Sequence, residues 1–135
     1  MSEDTFDKQA LIQYRLERAG ETLHDAQLLF DNDGSSASVV NRAYYAMFYT
    51  VLALLITIDE GTSRHSGVIA LFDKHFVKKG LFSKEISKAL HRAFDYRQIG
   101  DYRELLNIDK KQAEEILSSA AQFVETVKTY LQNKK

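Results

Sequence analysis

The run Arg97-Gln-Ile-Gly-Asp-Tyr102 holds the residues whose types and spacing bear most directly on chemistry. Arg97 continues an apolar repeat, Ile86, Ala89, Leu90, Ala93 and Phe94, onto a charged side chain. Asp101 and Tyr102 follow within about one and a half helical turns. A guanidinium keeps its charge at any physiological pH and grips an oxyanion with two parallel donors, so an arginine at the end of an apolar face suits phosphodiester recognition. His91, Arg92 and Arg103 extend this into a small basic rim. The same spacing also serves an ion pair between Arg97 and Asp101 that closes a helix end, with Tyr102 as a packing residue. Spacing alone favours that plainer arrangement.

Other chemistries find little support. His24, His65, His75 and His91 show no HxxxH or HExxH spacing, and the paired ExxH motifs of di-iron bundles are missing. No bound metal and no cofactor is therefore expected. There is no glycine-rich phosphate loop and no GxSxG elbow. The chain has no cysteine, which excludes disulfide scaffolds and thiol nucleophiles and fits a reducing compartment. Lys plus Arg is 18 against 19 for Asp plus Glu, so any nucleic-acid contact must come from a local patch. MSEDTFDKQ has acids where a signal peptide needs a basic and then an apolar segment, so a cytoplasmic protein is expected.

The elements that must position these residues are helical. With no proline and six glycines in 135 residues, one all-α domain over residues 1–135 is the economical reading. Its centre is Ser38 to Ile58. Ala43 to Ile58 carries no charge and falls short of the roughly 18 to 20 residues that a membrane span needs, so it reads as a core helix covered by its neighbours. Residues from about Thr5 to Phe30 place Ile12, Leu16, Ala19, Leu23, Ala26 and Phe30 on one stripe, with Gly20 marking a close approach to the central helix. Ser35 or Ser36 caps the central helix, and the first two helices form an antiparallel hairpin. A third helix, capped by Thr62 or Ser63, carries Val68, Ile69, Phe72 and Phe76 and ends at Lys78-Lys-Gly80. Ser83 caps a fourth, which frays over Gly100 to Glu104. Asp109 with Gln112 forms a capping box for the last, whose stripe is Ala113, Ile116, Leu117, Ala120, Val124, Val127 and Leu131. About five helices in one up-and-down bundle result.

Three segments in this order, NRAYYAMFYTVLALL from Asn41, RHSGVIALFDKHFVKKG from Arg64 and LHRAFDYRQIGDY from Leu90, resemble the HEPN superfamily, in particular its small stand-alone prokaryotic members. The resemblance implies an all-α, dimeric domain. It also implies metal-independent RNA cleavage as a toxin, held in check by a minimal nucleotidyltransferase antitoxin. The family's site is an arginine and, after four to six residues, a histidine, contributed by both protomers to a shared cleft. The arginine would hold the scissile phosphate and the histidine would move the proton of a 2′-hydroxyl attack.

The chain departs from that pattern at the histidine. After Arg97 the permitted positions hold Tyr102, Arg103 and Glu104. A phenol with an ordinary pKa of about 10 is a poor base at neutral pH, although it can donate a hydrogen bond. Arg18 and His24 match the spacing literally, but six residues of helix turn the chain by about 600°, which puts them on different faces. The candidate site is thus Arg97 with Tyr102 and Asp101, and Arg92, Arg103, Asn41 and Arg42 as substrate-binding residues. Asn41 and Arg42 equally suit the polar exposed end of a buried helix. Tyr44, Tyr45, Phe48 and Tyr49 read as core packing before base stacking. His65-Ser-Gly67 resembles a family motif, and its small residues allow close helix contact. Two functions follow: an RNase or toxin of the HEPN type, or a catalytically degenerate HEPN module that binds nucleotide, RNA or a protein partner without cutting.

Overall fold

A computed structural model describes residues 3–101 and 108–134, with side chains over 7–98 and 108–134. Among the described residues there are five α-helices: α1 (Glu3–Asp31), α2 (Ser36–Thr57), α3 (His65–Phe72), α4 (Lys84–Asp101) and α5 (Lys110–Asn133). The apolar run forms α2, which packs against all four of the others. Val40, Ala43, Tyr44, Ala46, Met47, Val51, Ala53 and Leu54 on α2 are all fully buried. α2 has the length and apolarity of a membrane span, but two thirds of its most apolar window is covered by the chain itself, which is how a core helix satisfies its apolar surface.

The local signals act as their chemistry requires. Asp33 takes a left-handed φ of 59° and Gly34 N–H donates to Leu29 O at 2.6 Å, which turns the chain from α1 into α2. Ser35 caps α2 by accepting from Ser38 N–H at 3.1 Å. Ser83 Oγ accepts from Ile86 N–H at the start of α4. Asp109 accepts from Gln112 N–H at 2.7 Å while the Gln112 side chain accepts from Asp109 N–H at 3.0 Å, a complete capping box. Replacing Asp109 with alanine removes one of these bonds and should cost about 1 kcal/mol. A melting temperature lower by roughly 3 to 5 °C in a circular-dichroism scan would show it.

Three expectations change. A Cβ at Gly20 would meet nothing within 4 Å, so this glycine marks no close helix approach. Neither Thr62 nor Ser63 is the cap of α3. That position is Arg64, without a side-chain bond, and Thr62 Oγ1 instead accepts from Arg64 N–H at 3.4 Å. The third helix is not α-helical to its end: Asp73–Val77 forms a π-helical turn, closed by Lys78 N–H on Asp73 O at 2.8 Å, before Gly80 reverses the chain at φ 81°. α4 is described as far as Asp101, inside the run from Gly100 to Glu104 expected to break or fray it, and residues 102–107 lie outside the described residues.

The π turn lets both of its neighbours pack. Phe72 and Phe76 remain buried on one side and meet Phe82, Phe123 and Tyr130 in a continuous aromatic cluster. On the other side Asp73 accepts from Ser87 Oγ at 2.7 Å and lies 2.6 Å from His91 Nε2, which ties the turn to α4.

Candidate functional site

Arg97 lies near the C-terminal end of α4, where that helix meets the N-terminal half of α2. Its guanidinium carbon sits 5.7 Å from the Tyr44 ring centroid and 5.5 Å from that of Tyr45. Nη2 donates to the Tyr45 hydroxyl at 3.2 Å, while Nε is buried with no acceptor among the described residues. Cation–π contact with two rings fixes the charge in place without neutralising it. Arg42 approaches the same Tyr45 ring, with its guanidinium carbon 5.4 Å from the centroid. Its Nε and Nη2 both donate to Asn41 Oδ1, at 3.1 and 2.8 Å. One tyrosine ring therefore has two cations within contact distance, a local positive pole on a chain of nearly zero net charge.

His65, the first residue of α3, completes the group. Its ring stacks on Phe48 at 4.2 Å with 14° between planes and meets the Tyr45 ring edge-on at 5.7 Å. Nδ1 lies 2.9 Å from the Tyr44 hydroxyl. Burial, and then the charge of Arg97, lower the His65 pKa from its ordinary 6.5, so the imidazole is neutral at pH 7. Burial drives the Tyr44 phenol far up its range, against the smaller downward pull of Arg97, and the hydroxyl stays protonated. The pair reaches across the fold because the chain returns along α2 after its C-terminus. Glu60 N–H is tied to Leu55 O at 3.0 Å. From Leu55 back to Phe48 and Tyr44 is roughly 10 to 16 Å of helix, and five extended residues span about 16 Å.

The structure thus brings Arg97, Asn41 and Arg42 together and leaves other expected residues elsewhere. Arg92 turns to α5, where Nη2 donates to Glu115 at 2.7 Å beside the Tyr96 ring. His91 is held at Asp73. Tyr102 and Arg103 lie outside the described residues, as does the Asp101 side chain, so the pair of Arg97 with Asp101 lies there too. Tyr44 is a packing residue as expected, fully buried, yet its hydroxyl is the partner of His65. The close helix contact expected at Gly67 is instead an approach to Thr62 in the preceding loop: a Cβ there would stand 2.7 Å from Thr62 Cγ2. Among the described residues no three histidine or carboxylate side chains converge as a metal-ligand set. A groove of about 660 Å³ between α1, the end of α2 and α5, lined by Leu16, Ile56 and Lys128, is separate from this site.

The fold and site define a small all-α domain in which an arginine of α4 and a histidine of α3 meet two tyrosines of the central helix in one cluster. The HEPN domain model matches residues 12–130, and the chain belongs to that family. A UPF0332 protein of Thermotoga maritima is 39% identical over 129 residues, covering 96% of this chain and 97% of that protein. Two Methanocaldococcus jannaschii proteins provisionally named toxins, MJ0142 and MJ0605, are each 34% identical. The first match covers 88% of this chain and 80% of the relative, the second 89% and 88%.

Proposed function

We propose that this chain is a toxin-like HEPN protein that engages RNA through a backbone phosphate at the Arg97 site, acts as a homodimer and is held in check by a minimal nucleotidyltransferase. The observation that carries the reading is the Arg97 guanidinium, held over two tyrosine rings beside an imidazole, although no histidine follows it at the family spacing. Arginine and histidine in one site provide the donors that a phosphodiester needs. The toxin names of two relatives support the biological role. Metal-independent cleavage is the activity that such a site would express.

A specific observation favours binding without cleavage as the second reading. The Tyr44 phenol is protonated, and the neutral His65 has its Nδ1 engaged, so neither group stands ready to take a 2′-hydroxyl proton. The test is incubation of the purified, partner-free protein with a broad RNA pool in EDTA, scored for cleavage and for RNA retention, with Arg97→Ala beside it. Cleavage that survives the chelator and vanishes in the variant establishes the nuclease. Retention without cleavage establishes the binding module, and neither signal overturns both.

A further inference from the structure

We propose that His65 is the second phosphate-binding residue of the Arg97 site, acting as a neutral hydrogen-bond donor through Nε2–H, in a tautomer that Tyr44 selects. The inference rests on the reading of that site as an RNA phosphate site.

The tautomer follows from a buried proton. Tyr44 is fully buried, and among the described residues His65 Nδ1 is the partner of its hydroxyl. A protonated phenol has one hydrogen to place. If Nδ1 carried a hydrogen and donated to the phenol oxygen, the buried phenol O–H would be left without an acceptor among the described residues, which is an expensive arrangement. The phenol therefore donates to Nδ1. The ring's own proton is then on Nε2, which has no partner among the described residues. Stacking on Phe48 fixes the ring plane and hence the direction of that donor.

The placement matches one ligand. The His65 ring lies 5.8 and 5.7 Å from the Tyr44 and Tyr45 centroids, and the Arg97 guanidinium carbon lies 5.7 and 5.5 Å from the same two. The two donors thus border one pair of rings, close enough for the charge of Arg97 to be felt at the imidazole, and an oxyanion can accept from both at once. Tyr44 and Tyr45 of α2 and Arg97 of α4 are the titratable and charged groups packed against the imidazole. Arg97 acts on it by disfavouring the imidazolium. An anion bound between them reverses that effect and raises the histidine's pKa. A neutral Nε2–H has no lone pair for a 2′-hydroxyl proton, so the role is binding and orientation.

The experiment is ¹⁵N NMR of the histidine side chains in the full chain, with inorganic phosphate as the probe. The free protein should show His65 as the neutral Nε2–H tautomer at pH 7 with a midpoint below 6.5. Phosphate should move its Nε2 resonance saturably and raise that midpoint, and Arg97→Ala should abolish the response. In parallel, His65→Gln should weaken binding of single-stranded RNA about tenfold, the size of one hydrogen bond to a charged oxygen. An Nδ1–H tautomer, or a resonance unmoved by phosphate while RNA still binds through Arg97, overturns the inference and leaves the proposed function standing. A phosphate response without any RNA binding supports the inference and overturns RNA as the ligand.

Discussion

Arg97→Ala should weaken binding of single-stranded RNA by about 10- to 100-fold, the equivalent of one charge-assisted contact of about 1.5 to 3 kcal/mol. Fluorescence anisotropy with a labelled oligonucleotide reads this directly. Because one phosphate contact is lost, the slope of log affinity against log salt should also fall by about 0.7. Arg97→Lys should recover little, since an ammonium does not fork onto two oxygens and lacks the delocalised charge that the guanidinium holds against both Tyr44 and Tyr45. Arg92→Ala is the contrast: its guanidinium is committed to Glu115 and Tyr96, and its loss should leave RNA affinity unchanged. Unaltered affinity in Arg97→Ala, with a native melting curve, would remove this arginine from the site.

The largest effect on stability is expected at Phe72. It is fully buried at the junction of α3 with the π turn, and its ring lies 6.1, 5.8 and 5.7 Å from those of Phe76, Phe82 and Phe123. Phe72→Ala removes a ring that joins α3, the loop before α4 and α5, and leaves a cavity. The cost is about 3 to 5 kcal/mol. Against a typical total of about 5 to 15 kcal/mol this is a large fraction of the whole. A melting temperature lower by about 10 to 20 °C is expected. Urea denaturation gives the same quantity independently, and a shift under 1 kcal/mol would mean that the aromatic cluster closes over the gap.

Much of this fold is legible residue by residue. The α5 stripe from Ala113 to Leu131 is buried throughout. In α1, Ala19 and Ala26 are fully covered while Ile12, Leu16, Leu23 and Phe30 are half-buried, as a 3.6-residue repeat demands. Asp109 and Gln112 announce their helix from four residues of sequence. Such signals are local, and local physics is written in consecutive residues. The π turn is not legible in this way, because Phe72 and Phe76 keep a spacing of four that an ordinary helix would share.

The site divides along the same line. Arg97 stands out because it puts a charge where an apolar repeat predicts none. Tyr44 does not: the carbons of its side chain argue for packing, and the one atom that matters, the hydroxyl oxygen, is recognised only by what lies opposite it. Nothing in the neighbourhood of His65 names that partner, since the contact joins residues 21 positions apart through a loop whose path is set by tertiary packing. The resemblance of His65-Ser-Gly67 to a family motif was the one available pointer.

That loop gives chain length a role usually reserved for side chains. The backbone between Glu60, tied to Leu55, and His65 has to carry the imidazole back along α2 to its phenol. Additions and losses there are not equivalent. A longer connection leaves the ring free to find Tyr44 and Phe48 at some cost in order, whereas a shortened one draws it back toward the C-terminal end of α2, with Arg97 still in place and its companion donor withdrawn.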